Sequence, residues 1–178
     1  MLSSVEILKT AVHLLEQSGI HGLSLRAVAS ALGVKAPSLY RYFPDKEALE
    51  LAVAEEILNR MLIEFRAVPA SNRPDVKFRK IAMVYLSFAR EHFSLYAFVV
   101  QDRPERYASA AGKAVWNILL DAVSSVSGHP DDTDAAVALW SFLHGFATLE
   151  HSGAFGASGP KGGLERGLEA FLSSFPSS

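Results

Sequence analysis

Between Ser24 and Lys46 the chain carries four basic side chains, Arg26, Lys35, Arg41 and Lys46, against one acidic one, Asp45. Four minus one leaves this stretch at +3, inside a chain whose formal net charge is -2. Attraction to phosphate acts locally through a screened field, so the position of charge matters more than its sum. The asymmetry points to a polyanionic partner for this segment alone. Two phenols, Tyr40 and Tyr42, lie among the basic groups. Other chemistry is poorly served. There is no cysteine, which excludes disulfides and thiolate chemistry. His144, Glu150 and His151 lie close together along the chain and raise the idea of metal-dependent hydrolysis. The two histidines are seven apart, however, without the i,i+4 pair of helical zinc sites. No Ser/His/Asp set, phosphate loop or carboxylate dyad stands out. The reading is of a non-enzyme with no cofactor and no metal site.

Helical spacing dominates the elements that must position these groups, with no period-2 alternation long enough for a strand. Val5, Leu8, Val12 and Leu15 mark a first helix that stops at Ser18-Gly19. Ser24 can cap a second short helix, Leu25 to Leu32, with Leu25, Val28, Ala29 and Leu32 facing inward. Gly33-Val34-Lys35 forms a tight turn, and Pro37 opens a third helix that Pro44 ends at about Phe43. Asp45 then caps a fourth helix, Lys46 to about Arg66. Two short helices joined by a Gly-containing turn form a helix-turn-helix, and its second helix presents Lys35, Ala36, Pro37, Ser38, Tyr40, Arg41 and Tyr42 outward. Such a helix enters the major groove N-terminus first.

A turn-rich break at 68–74 follows, then helices over about 75–92, 95–100, 106–126 and 133–151, a glycine-rich loop over 152–163, and a last amphipathic helix on Leu164, Leu168, Phe171, Leu172 and Phe175. The expected fold is all-α, with about nine helices in two domains. The expected division is residues 1–50, with the helix-turn-helix at about 24–43, and residues 51–178, with the linking helix 46–66. With 178 residues and 49% hydrophobic content, the chain can bury a core without staples. Its first residues lack a secretory pattern, and no apolar run approaches the ~18 residues of a membrane span. The expected location is the cytoplasm, with no membrane partner.

Gly33-Val34, then Leu39-Tyr40-Arg41-Tyr42-Phe43-Pro44-Asp45-Lys46-Glu47-Ala48-Leu49, resemble the DNA-binding domain of the TetR family of repressors over roughly residues 4 to 55. The family pattern is a Gly-Val turn, Leu-Tyr-x-(His/Tyr)-Phe, and a short link into Lys-Glu-x-Leu. Trp140-Ser141-Phe142-Leu143-His144-Gly145 resembles the Trp-x-x-x-His-Gly signature of one C-terminal subclass. The resemblance implies a repressor bound to double-stranded, palindromic operator DNA and released by a small apolar or aromatic effector. In the groups it assigns, Ser24 and Arg26 touch phosphate, Pro37, Ser38 and Tyr40 meet base edges, and Ala36 belongs to the same DNA-binding set. Lys35, Arg41 and Tyr42 grip phosphates beside the groove, and Lys46 clamps one at a helix start. Tyr40 has an alternative place wedged in the domain core. An activator of the same fold, or an interaction protein that has lost DNA binding, are the competing functions.

Two half-sites demand two reading heads, hence a homodimer. The expected interface is the pair of stripes Leu139, Leu143, Phe146 and Leu164, Leu168, Phe171, which in the family pair about a twofold axis. The alternative is that both stripes close the subunit core. For the effector, Tyr85, Phe88, Tyr96, Trp116, Trp140 and His144 are candidate pocket groups, although aromatics at helical spacing equally build a core. The sequence does not name the effector.

Overall fold

Ser3 and Glu6 start the first helix with a reciprocal capping box: the Glu6 amide donates to Ser3 Oγ at 3.2 Å, and the Ser3 amide donates to the Glu6 carboxylate at 3.0 Å. This computed structural model describes residues 2–100 and 104–175. Among them the chain is all-helical, without strands. Its α-helices are α1 (Ser4–Ser18), α2 (Leu25–Ala31), α3 (Lys46–Arg66), α4 (Pro74–Glu91), α5 (Phe93–Val100), α6 (Pro104–Tyr107), α7 (Ala110–Ser127), α8 (Thr133–His151) and α9 (Gly163–Ser173). Short 3₁₀ turns lie at Ile20–Gly22 and Ala36–Ser38. No helix among the described residues is long and apolar enough to cross a membrane.

Two expected helices take other forms. The third, Pro37 to Phe43, is a 3₁₀ turn at Ala36–Ser38 that continues as further turns. Tyr42 N–H bonds the Leu39 carbonyl three residues back, and Phe43 N–H reaches the same carbonyl. Pro37 has no N–H, and Pro44 biases Phe43 away from helical ψ, so the six residues between leave no room for a settled α-ladder. The helix expected over 106–126 is broken into α6 and α7. Gly112 packs on the preceding turn so closely that a Cβ there would lie 2.1 Å from the Tyr107 carbonyl oxygen, and Ser109 Oγ accepts from the Gly112 amide at 3.0 Å as a fresh N-terminal cap.

The chain forms two compact units, Met1–Leu62 with His92–Lys113 and Ile63–Glu91 with Ala114–Ser178. In the first, Ile7, Leu15, Val28, Leu39, Leu49, Ile57 and Leu95 are almost fully buried. Each such side chain contributes about 1.5–3 kcal/mol by leaving water. In the second, Phe78, Tyr85, Phe88, Val123, Leu139, Leu143 and Leu168 form the core. Phe78 stacks on Phe171 at 5.8 Å, and Phe142 covers Gly167, where a Cβ would meet its ring at 2.2 Å.

The positions expected at a dimer interface also pack within one chain. Leu139, Leu143, Phe146, Leu164 and Leu168 are buried within a single chain, and Phe171 stacks on the same chain's Phe78. Spacing alone shows that a helix has an apolar face, not which surface covers it. Here the subunit's own α4, through Phe78, takes part in that covering.

Candidate nucleic-acid interface

The helix-turn-helix hinges on the end of α2. Gly33 sits at φ +66°, the Val34 amide donates to the Ala29 carbonyl, and the Gly33 amide donates to the Ser30 carbonyl. These two bonds complete a Schellman motif, which caps the last carbonyls of α2 and reverses the chain toward the next segment. At the other end, Ser24 Oγ accepts from the Ala27 amide at 3.1 Å, as an N-cap should. Its hydroxyl proton stays available to an acceptor such as phosphate. Past the turn, Leu39 and Phe43 are buried and hold the segment down.

With those two inside, the intervening groups point outward. Lys35, Pro37, Tyr40 and Arg41 are exposed, Ala36, Ser38 and Tyr42 are half-buried, and Arg26 is exposed on α2. Tyr40 is 49% exposed, which removes it from the core. Tyr42 has a different setting. Its hydroxyl donates to the Leu2 carbonyl and accepts from Arg41 Nη2 at 3.1 Å, and the Arg41 guanidinium lies 4.8 Å from its ring centroid. A phenol has one proton to give, and here the Leu2 carbonyl takes it. Tyr42 is thus equipped to orient Arg41 and to tie down the chain before α1.

Asp45 caps α3, its Oδ1 accepting from the Ala48 amide at 2.8 Å. Lys46 stands in the first turn, where the helix dipole adds to its attraction for an anion. Lys46 Nζ pairs with Glu50 Oε1 at 3.2 Å, and the other oxygen of Glu50 accepts from Arg106 Nη2 at 2.9 Å. Arg106 is 4% exposed; its Nη1 donates to the Phe98 carbonyl at 2.7 Å and its guanidinium stacks 3.9 Å from the Phe98 ring centroid. Burial alone would raise the Glu50 carboxyl, but hydrogen bonds and charge from Arg106 and Lys46 hold it below its ordinary range. Sequence reasoning missed both Glu50 and Arg106. Glu50 carried one signal, a charge among the inward positions Leu49, Val53, Ala54 and Ile57 of α3. Arg106, 56 residues away, carried none.

The six candidate effector-binding groups are divided between the units: Tyr96 belongs to the first, the other five to the second. Tyr85, Phe88 and Tyr96 are buried, while Trp116, Trp140 and His144 are half-buried. Trp140 Nε1 donates to Tyr85 Oη at 3.0 Å, and the Trp116 and Trp140 rings meet edge-on at 6.2 Å. Burial pushes the His144 imidazole below its ordinary value. Among the described residues no three His, Asp or Glu side chains converge where they could hold a metal.

Two family profiles match the chain: "Bacterial regulatory proteins, tetR family" over residues 7–53 and "Tetracyclin repressor-like, C-terminal domain" over residues 78–173. An uncharacterized HTH-type transcriptional regulator of Mycobacterium tuberculosis is 31% identical over 157 residues, covering 85% of this chain and 72% of that protein. Among solved structures, a protein of unknown function from Rhodococcus sp. RHA1 superposes with a TM-score of 0.81 at 25% identity, covering 99% of this chain and 97% of that one. The fold is shared with a single-substitution variant of TetR from Acinetobacter baumannii AYE, solved in complex with minocycline, with a TM-score of 0.73 at 19% identity and coverage of 98% and 96%.

Proposed function

Because the chain belongs to the TetR family of bacterial regulatory proteins, and is thereby a helix-turn-helix, DNA-binding transcriptional regulator, we propose that it is a cytoplasmic repressor that binds a palindromic operator as a homodimer and leaves it when a small apolar or aromatic effector binds. The observation that carries the reading is the outward set Lys35, Pro37, Tyr40 and Arg41 on a segment pinned by Leu39, Phe43 and the Schellman turn at Gly33. Pro37, Ser38 and Tyr40, with Ala36, meet base edges by apolar contact with thymine methyls and by hydroxyl hydrogen bonds. Ser24, Arg26, Lys35, Arg41 and Lys46 bind phosphates, with Tyr42 aligning Arg41.

Residues 1–50 are the reading domain, and 51–178 the regulatory and dimerisation domain. Its Trp140-x-x-x-His144-Gly145 sequence supports assigning it to the subclass with that signature. The effector site draws on the Trp116, Trp140 and His144 group, whose half-buried rings combine an apolar wall with polar atoms. The effector of this regulator must bind the DNA-incompetent arrangement more tightly than the competent one, since tight but indifferent binding shifts nothing.

Operator binding tests the reading. Lys46→Ala should weaken all sequences alike and reduce the salt slope by about one unit. Tyr40→Ala should cost about 1–3 kcal/mol on the operator and relax preference at one position per half-site. Equal losses on operator and random DNA for Tyr40→Ala would remove it from base reading, and an unchanged salt slope for Lys46→Ala would remove that phosphate contact.

A further inference from the structure

A cavity of about 570 Å³ opens in the first compact unit beside the start of α3. Its size lies within the range of small-molecule sites. Two kinds of wall meet there. Ile20, Phe93, Ala97 and Phe98 supply apolar surface, and Lys46, Glu50 and Arg106 supply charge. Among the described lining residues two cations stand against one carboxylate, a positive excess of one, and His21 and Ser94 add polar atoms.

The charged groups are held in place before any ligand arrives. Arg106 is nearly fully buried, stacked on Phe98 and bonded to the Phe98 carbonyl and Glu50. A guanidinium has five donors, and these two bonds use one each. Lys46 has three donors and gives one to Glu50. Its side chain is 59% exposed, so the same ammonium both lines the cavity and remains open to solvent.

We propose that this cavity is a binding site for a small organic carboxylate with an apolar or aromatic body, whose carboxylate takes Lys46 and Arg106 while its body lies against Phe93 and Ala97. A carboxylate fits better than a neutral ligand because the excess charge is positive and one cation is desolvated, conditions under which charge-assisted hydrogen bonds are strongest. Occupation has a consequence for DNA, which rests on the phosphate role proposed for Lys46. An anion bound to that ammonium competes with the operator phosphate for the same charge, so binding at this cavity weakens operator affinity without requiring a second conformation.

The test uses the full chain and calorimetric titration with benzoate, phenylacetate and hexanoate, against benzamide as the neutral shape-match of benzoate. At least one carboxylate should bind at or below about 10 mM, and benzoate should bind at least about tenfold more tightly than benzamide. Ala97→Leu, which adds three carbons to the wall against which the ligand's body lies, should reduce carboxylate affinity by about tenfold or more. Ile20→Glu places a negative charge at a lining position that is 42% exposed, keeps the protein informative if Ala97→Leu misfolds, and should weaken the carboxylate but spare benzamide. The site is overturned if no carboxylate of the set binds, if benzoate and benzamide bind alike, or if the folded variants leave carboxylate affinity unchanged. Operator titration with the bound carboxylate present is the second arm. Weaker operator binding supports the competition, whereas unchanged operator affinity with intact carboxylate binding overturns the phosphate role of Lys46 and leaves the site standing.

Discussion

Glu50 and Arg106 form an ion pair whose members are 6% and 4% exposed. Taking two charges out of water costs several kcal/mol, and their attraction offsets this only when both stay bonded. Removing one member is therefore worse than removing both. Arg106→Met should destabilise the protein by about 3–5 kcal/mol, and adding Glu50→Leu should recover a large part of that loss. Chemical denaturation of the three variants measures it; a double variant no more stable than Arg106→Met would refute the coupling. The pair also predicts a pH dependence. The Glu50 carboxyl lies below its ordinary 4.5 in the folded chain, so its contribution is complete above pH 4.5 and is lost as pH falls through the lower folded value. Glu50→Gln should flatten the stability profile below pH 4.5, and a profile parallel to the wild type there would contradict it. None of this was legible from spacing. A charge at an inward position of α3 hints at a partner, but its identity depends on how the chain closes 56 residues later.

At the scale of elements, local chemistry reads well and packing reads poorly. The Gly33-Val34 turn and the caps at Ser24 and Asp45 follow from residue types that satisfy backbone groups within five residues, and the structure has each of them. The first helix also ends at Gly19 as its sequence implies, yet Val5 is 58% exposed and the inward stripe runs through Ile7, Ala11, Val12 and Leu15. A short amphipathic helix with apolar residues at many positions leaves the rotation of its face to tertiary contacts. The break between α6 and α7 was illegible for a similar reason. Ser109-Ala110-Ala111-Gly112 suits a helix interior well enough, and only the approach of Tyr107 to Gly112 ends one helix and begins another. The two glycines predict distinct penalties. At Gly33 a Cβ meets nothing within 4 Å, so Gly33→Ala pays only the left-handed backbone, about 1–2 kcal/mol, and Gly33→Asn should be milder because Asn tolerates that region. At Gly112 the clash is with backbone and cannot be relieved by a rotamer change, so Gly112→Ala should cost more than Gly33→Ala. Thermal unfolding ranks the three; Gly33→Ala as the worst would contradict this order.

For the whole molecule, the question is which surface joins two subunits, because two half-sites about 34–36 Å apart need two reading heads on one body. Of the stripes at Leu139/Leu143/Phe146 and Leu164/Leu168/Phe171, the first five side chains are buried in the subunit and Phe171 is half-buried against Phe78. Charging Leu164 and Leu168, which are 8% and 1% exposed, should therefore unfold α9 and loosen its unit, not release intact monomers. On α8 the opposite face stays uncovered. Val137 and Leu149 are 44% and 48% exposed, and Ala138, Ser141 and Thr148 share that exposed side. Small residues there let a second helix approach closely, and two exposed aliphatics give it apolar surface to bury. This face is our choice for the dimer contact of the proposed repressor. Val137→Glu with Leu149→Glu should give monomers with unchanged helical content, because neither side chain is part of the buried core. Those monomers should bind a single half-site weakly and lose affinity for the full palindrome, since one body no longer supplies both contacts. Sedimentation combined with operator titration decides the matter. A double variant that stays dimeric would move the interface off this face of α8, and one that becomes monomeric yet keeps full palindrome affinity would show that DNA reading does not depend on a preformed dimer.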